Sequence, residues 1–314
     1  MPYTKESEMK SEGKITNNSH AKTGFTIIEL LTVMSIIVIL LGLLVPSLNT
    51  MKWYARYTTQ KNQLKNIETG LHSFELDFGE YPDSSAGPSA APYCGAMKLA
   101  EAMAGQDGFG FHPDSSFRAD GLSAAGKDLY PGIPDAENLR SRKGYMEARD
   151  VQLCVLDDYL NSLPSPPSWN GSGKIVLLCD VYKLNNFRNI KGDKLGMPIL
   201  YYKANTSKLS HDVNDPCNTN NIYNFYDNHE FVGLGVISDL TVTEHPLFQK
   251  PAIPGPPGPP GQRFYEETRD ESVPIAGAYD PMKIRPYNKD GYILISAGRD
   301  GLYGTKDDVC NFKN

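Results

Sequence analysis

The chain has 314 residues, with 31 basic and 37 acidic side chains and a formal net charge of −6. That length allows one or two domains with real cores, and 40% hydrophobic against 22% charged residues excludes wholesale disorder. An acidic balance argues against nucleic acid as a partner, because phosphate binding needs clustered Lys and Arg.

Residues 1–24 are polar, with Lys5, Lys10, Lys14 and Lys22 set against Glu6, Glu8 and Glu12. The next block, Phe25 to Leu48, is apolar, interrupted by Glu29 near its start and Pro46 near its end. Its uncharged part, Leu30 to Leu48, is 19 residues long, close to the ~20 that an ~30 Å hydrocarbon core requires. The pattern predicts a transmembrane helix. A secretory signal peptide has a shorter apolar core and then small residues at a cleavage site; here Ala55 stands among Tyr54, Arg56 and Tyr57. Charge leaves the orientation open, because Lys52, Arg56, Lys61 and Lys65 balance the lysines of the leader. A carboxylate at Glu29 is costly inside a bilayer, so it either has a partner or sits near the membrane surface.

The junction Lys22-Thr23-Gly24-Phe25-Thr26-Ile27-Ile28-Glu29 resembles the processing site of type IV prepilins and type II secretion pseudopilins. The resemblance implies cleavage after Gly24 by a prepilin peptidase and N-methylation of Phe25. It implies filament assembly through a pair between the Phe25 amine of one subunit and Glu29 of its neighbour. Gly42 and Pro46 are then candidate kink points, Pro46 lying where many pilins bend their helix.

Beyond Pro46, Leu64, Ile67, Leu71, Phe74 and Phe78 recur at steps of 3, 4, 3 and 4, one apolar stripe on a continuing helix. Gly79 and Pro82 stop it. The stretch 63–82, QLKNIETGLHSFELDFGEYP, is similar to that of the major pseudopilin. Residues 83–92 form a Pro/Gly/Ser-rich break, and 93–150 are weakly patterned. Residues 151–164 read as a short helix entering a Pro-rich loop. Strand candidates are 174–182, 196–205, 231–239 and 291–298. The second, with Asp193, Gly196, Pro198 and Tyr201, resembles the segment opening the pseudopilin sheet, with Leu195 where Trp is usual. PGPPGPPG at 254–261 is too short for collagen and reads as a stiff polyproline loop.

The C-terminal loop 296–309 places Asp300, Asp307 and Asp308 among glycines, a composition that suits a hard, oxygen-seeking cation. An acidic Asp-Gly surface turn has the same composition. The loop also resembles the calcium loop of the major pseudopilin, which implies calcium on Asp300 and Asp308, with Asp307 and Ser296 as further ligands. The five cysteines, Cys94, Cys154, Cys179, Cys217 and Cys310, are odd in number, so at least one is unpaired or intermolecular. No C-x-x-C occurs, and His72, His112, His211, His229 and His245 lack metal or triad spacing. Nothing points to an enzyme.

The expected molecule is a pilin-like α+β protein: a long N-terminal helix, transmembrane and then amphipathic, packed on a small antiparallel sheet. Its expected parts are a leader (1–24), the helix (25–82, membrane part 25–48) and a periplasmic domain (83–314) with loop insertions at about 83–192 and 206–289. The resemblance implies a subunit of an inner-membrane-derived, periplasmic pseudopilus for protein secretion, its N-terminus cytoplasmic before processing. The implied partners are copies of itself, other pseudopilins, the peptidase, an inner-membrane assembly platform, and lipid before assembly. Rival readings are a minor, tip or adhesive pilin subunit, and a membrane-anchored binding module that never polymerises.

Overall fold

The computed structural model describes residues 24–86, 93–131, 136–146, 151–160, 175–184, 187–189, 191–228, 247, 261–274 and 279–313. The chain divides into two compact units, Met1–Lys52 and Trp53–Asn314. Helix α1 spans Ile27–Phe78, 52 residues, starting two residues after the expected Phe25 and ending where the Gly79 stop requires. It is unbroken through Gly42 and Pro46.

In the first unit the described residues are exposed almost throughout. Phe25 is 81% and Ile27 85% accessible, and large aliphatic side chains stay exposed along the helix to Leu48. A helix that is apolar on every side and covered by no other described residue is suited to lipid or to other helices. It is long and apolar enough to cross a membrane.

The second unit is built on the striped end of α1. Leu64, Ile67, Leu71 and Phe74 are at most 3% exposed, as the stripe predicts. Phe78 departs from it at 48% exposure, its ring resting on Phe74 and Phe117 at the edge of the core. The stripe packs on α2 (Gly95–Ala104) and on strand residues Leu178, Ile199, Tyr201, Leu294 and Val309.

Among the described residues two antiparallel sheets form, where one was expected. β1 (Gln152–Val155) pairs with β2 (Val176–Cys179), and β3 (Leu200–Lys203) pairs with β4 (Tyr292–Ser296), which pairs with β5 (Val309–Cys310). Ile199, just before β3, and Tyr201 on it face the α1 cluster, while Leu200 and Tyr202 enter a second cluster with Ile293, Ile295, Phe264 and Tyr265. Successive side chains point to opposite faces, so a sheet covered on both sides reads as the unbroken apolar run ILYY. The outer cover includes a 3₁₀ turn, Phe225–Asn228, and α5 (Gln262–Glu267).

Several expectations are corrected. The region 83–192, expected as a loop insertion, contains helix α2, every residue of which is buried. Gly95 opens that helix where an added Cβ would stand 2.2 Å from the Tyr201 carbonyl, so only glycine allows the approach. Residues 151–164 begin as β1, and the helix α4 (Leu156–Leu160) is one short turn. A small helix, α3 (Ala136–Ser141), is exposed or half-buried. The expected strand 231–239 and the polyproline run up to residue 260 lie outside the described residues.

Polar side chains fix α1 against both sheets. Gln63 Nε2 donates to the Cys179 carbonyl at 2.6 Å, and Gln60 Oε1 accepts from Val181 N at 2.9 Å. Lys61 Nζ donates to the carbonyls of Cys310 and Lys313 at 3.0 and 2.9 Å. Gln60 is fully buried and Gln63 nearly so. Gln60 is paired through its Oε1 alone, its buried Nε2 having no hydrogen-bond partner among the described residues, a cost the packing around it must offset.

Candidate functional sites

The first site is the N-terminal segment. Gly24 and Phe25 precede α1, both exposed. Thr26 caps the helix: its N and Oγ1 donate to Glu29 Oε2, and its Oγ1 accepts from Glu29 N. This is a capping box, in which a Thr and the acid three residues later satisfy each other's orphan donors. Its T-x-x-E signature stands in the sequence and was open to reading beside the processing motif. Glu29 thus has a local partner within its own chain, and the apolar surface follows directly behind it.

The second site is the loop between β4 and β5. Gly298 takes φ +67°, and a Cβ there would lie 2.2 Å from the Asp307 carbonyl, so glycine is required. Asp307 Oδ2 accepts from the backbone of Arg299 and Asp300 at 2.7 and 3.0 Å, and Thr305 Oγ1 donates to its Oδ1 at 2.6 Å. Asp308 accepts from Gly304 N and Thr305 N at 2.7 and 3.3 Å. Asp300 Oδ1 accepts from Leu302 N at 2.8 Å.

These carboxyls differ electrostatically. Desolvation pushes Asp308 up to about 8 despite its two backbone donors. Partial burial raises Asp300, and its neighbour Asp307 adds to the rise. Asp307 resists desolvation and is held low by the Thr305 hydroxyl and the backbone donors. Among the described residues no basic side chain forms an ion pair with any of the three. Three acids without a counter-charge suit a cation in donor chemistry, although among the described residues no set of three or more His, Cys, Asp or Glu side chains is arranged to hold a metal.

Ser296 does not belong to this group. It is fully buried and its hydroxyl donates to Asp180 Oδ2 at 3.2 Å. Asp180, just after β2, also accepts from Tyr182 N and Met197 N at 3.0 and 3.1 Å. Burial drives its carboxyl well above the usual range. It joins the end of β2 to the entry of β3; an acid closing the apolar run IVLLC is the only sequence signal for it.

A third feature, unread in the sequence, is a polar cleft of about 630 Å³. Asn205, Asn218, Asn224, Lys203, Tyr226 and Asp227 are among its lining residues. Asp227 is buried, with Ser84 Oγ and Asn224 Nδ2 donating to its two oxygens. Burial first, and then the nearby Asp83, push it up to about 7. Both charge signs meet here, since Lys203 pairs with Glu80 and Lys98 with Asp83.

No protein-family model, curated protein or solved structure matches the chain.

Proposed function

We propose that the chain is a pilin-like structural subunit, the building block of a type II secretion pseudopilus. A prepilin peptidase cuts after Gly24, Phe25 becomes the methylated terminus, and subunits leave the inner membrane to polymerise through α1 on an assembly platform. The periplasmic fibre then drives proteins across the outer membrane. The observation that carries this reading is the exposed apolar helix headed by Gly24-Phe25-Thr26-Ile27-Ile28-Glu29. A membrane anchor alone needs the apolar length; it has no use for the ordered motif at its head.

In this reading Glu29 exchanges its intrachain bonds to Thr26 for the Phe25 amine of a neighbour, a charge-assisted pair in a low-dielectric setting. Such a head-to-tail contact does not close on itself, so it builds an open filament. Calcium on Asp300, Asp307 and Asp308 belongs to the same proposal, without Ser296. The loop holds Arg299 and Lys306, and the metal would supply the positive charge that neither brings to these carboxyls as an ion pair. No step of catalysis is assigned to any residue.

The deciding experiment is intact mass with N-terminal sequencing of the protein from native membranes. A chain beginning at N-methylated Phe25 supports the filament reading. A chain still carrying residues 1–24, in cells with active peptidase, removes it.

A second reading has an observation of its own. Removing 24 of 314 residues leaves 290, about twice the length of the pseudopilins it resembles, and the cleft at Tyr226 and Asp227 provides a place to bind. This favours a minor, tip-located or adhesive subunit, or an anchored binding module for glycans or cargo. Copy number separates them: a fibre's main subunit is abundant, a tip subunit is scarce.

A further inference from the structure

All five cysteines are free thiols, four of them buried and Cys217 exposed. Sequence leaves their pairing open. In the β1–β2 ladder Gln152 faces Cys179 and Cys154 faces Leu177. Positions two apart on a strand share a face, so Cys154 lies diagonally across from Cys179 on one side of the sheet. Both are buried inside the core cluster that also holds Tyr159 and Phe187. Tyr159 Oη sits 3.0 Å from Cys179 Sγ and donates to the Gly196 carbonyl.

The other three cysteines have different neighbours. Cys94 precedes α2, and its carbonyl accepts from Met97 N and Lys98 N. Cys310 lies on β5, its carbonyl held by Lys61. Cys217 is on a turn, 3.4 Å from the Tyr226 hydroxyl.

We propose that Cys154 and Cys179 are a disulfide-forming pair, which joins β1 covalently to β2 when the globular unit meets a disulfide oxidant. The Cys154 thiolate attacks one sulfur of the oxidant RS–SR and releases one RS⁻. The Cys179 thiolate then attacks the mixed disulfide at Cys154 and releases the second. Two S–H bonds break and one S–S bond forms. The two protons pass to the released thiolates, and the oxidant is reduced to two thiols. The order follows from the surroundings. The hydrogen bond from Cys179 draws the Cys154 thiol down, while burial drives Cys179 up, and the thiolate is the nucleophile. Diagonal positions stand ~7–8 Å apart, beyond the ~4.4–6.8 Å between Cα atoms that a disulfide usually spans. Closure therefore needs backbone movement of these four-residue strands, and the same opening must admit the oxidant to two buried thiols.

In cells this inference rests on the export reading, because disulfides persist only in oxidising compartments. The test therefore has two arms. The purified full chain in detergent micelles is reduced, exposed to oxidised glutathione, alkylated with iodoacetamide and mapped by mass spectrometry. A cross-linked Cys154–Cys179 peptide, two hydrogens lighter than its reduced parts, is expected. Cys154→Ser should remove it and leave Cys179 alkylated, and Cys217→Ser should leave it in place. Both thiols alkylated, or either joined to a different cysteine, overturns the pairing. The same mapping on protein quenched directly from cells reads the compartment. A bridge there supports both proposals; free thiols there, with a bridge formed by glutathione, keep the pairing and overturn export.

Discussion

Thr26 and Glu29 close a reciprocal ring at the head of α1: Thr26 N and Oγ1 donate to Glu29 Oε2 at 2.8 and 2.7 Å, and Glu29 N donates to Thr26 Oγ1 at 3.3 Å. The ring gives Glu29 a role in the isolated subunit that filament pairing would later replace. A capping interaction is worth about 1 kcal/mol, well below the cost of a buried unpaired charge. In the proposed filament the neighbour's cation would have to offset both the lost cap and the desolvation of the pair.

That ordering separates two substitutions. Glu29→Ala should abolish assembly and leave membrane insertion intact, whereas Thr26→Ala should still assemble because only the cap is lost. Sheared-filament yield and carbonate-resistant membrane fractions measure the two properties. Equal assembly by both variants would remove the pairing role from Glu29.

Gln63 tests how α1 is held. Gln63→Ala leaves the Cys179 carbonyl at 2.6 Å without its donor, at a cost of about 1–3 kcal/mol for an unsatisfied buried group. The denaturation midpoint of the full chain should fall accordingly. A change within about 0.5 kcal/mol would place Gln63 among ordinary surface substitutions and discount the bond.

Asp227 sets a pH dependence. Its folded pKa of about 7 is raised above the ordinary 3.8 by burial, so the folded state binds the extra proton between those values. Stability from this group is fully present below about pH 4 and is lost as pH rises to about 7. Asp227→Asn should flatten that part of the stability curve, read by chemical denaturation at pH 5 and pH 8. An unchanged slope would show that the carboxyl is charged in the fold.

The aspartate loop yields a calcium prediction. Added Ca²⁺ should raise the thermal midpoint, by the equivalent of ~2.7 kcal/mol at a hundredfold excess over its dissociation constant. Asp307→Asn and Asp308→Asn should each remove the shift, while Ser296→Ala should keep it, since Ser296 bonds to Asp180 instead. A midpoint unmoved by Ca²⁺ or by chelator would leave the loop as a hydrogen-bonded turn.

The sequence was most legible where one period ran long. Leu64, Ile67, Leu71 and Phe74 announced the buried face of α1, and the apolar runs around Leu178, Tyr201 and Leu294 announced β2, β3 and β4. It failed where burial depends on distant partners. Helix α2, GAMKLAEAMA, mixes four alanines with Met97, Lys98, Leu99, Glu101 and Met103, so buried charges interrupt its apolar positions and gave no clean stripe to read. Its Glu101 is buried and held by Ser115, Ala119 and Tyr130, partners brought in by loops 14 to 29 residues away. Strand β5 is two residues long and has no period at all. At the C-terminal loop composition placed Asp300, Asp307 and Asp308 in one glycine-rich segment, but only folding could send Ser296 to Asp180.

The clamps of Gln60, Lys61 and Gln63 carry a mechanical implication. Apolar side chains slide over one another with little resistance until contact is lost, whereas a hydrogen bond is spent within about an ångström of stretch. These residues grip backbone carbonyls and an amide at the ends of both sheets. A pull along α1 therefore loads β2 and β5 together in shear. Within the second unit, the sheets resist creep and rotation around the Trp53–Phe78 part of α1.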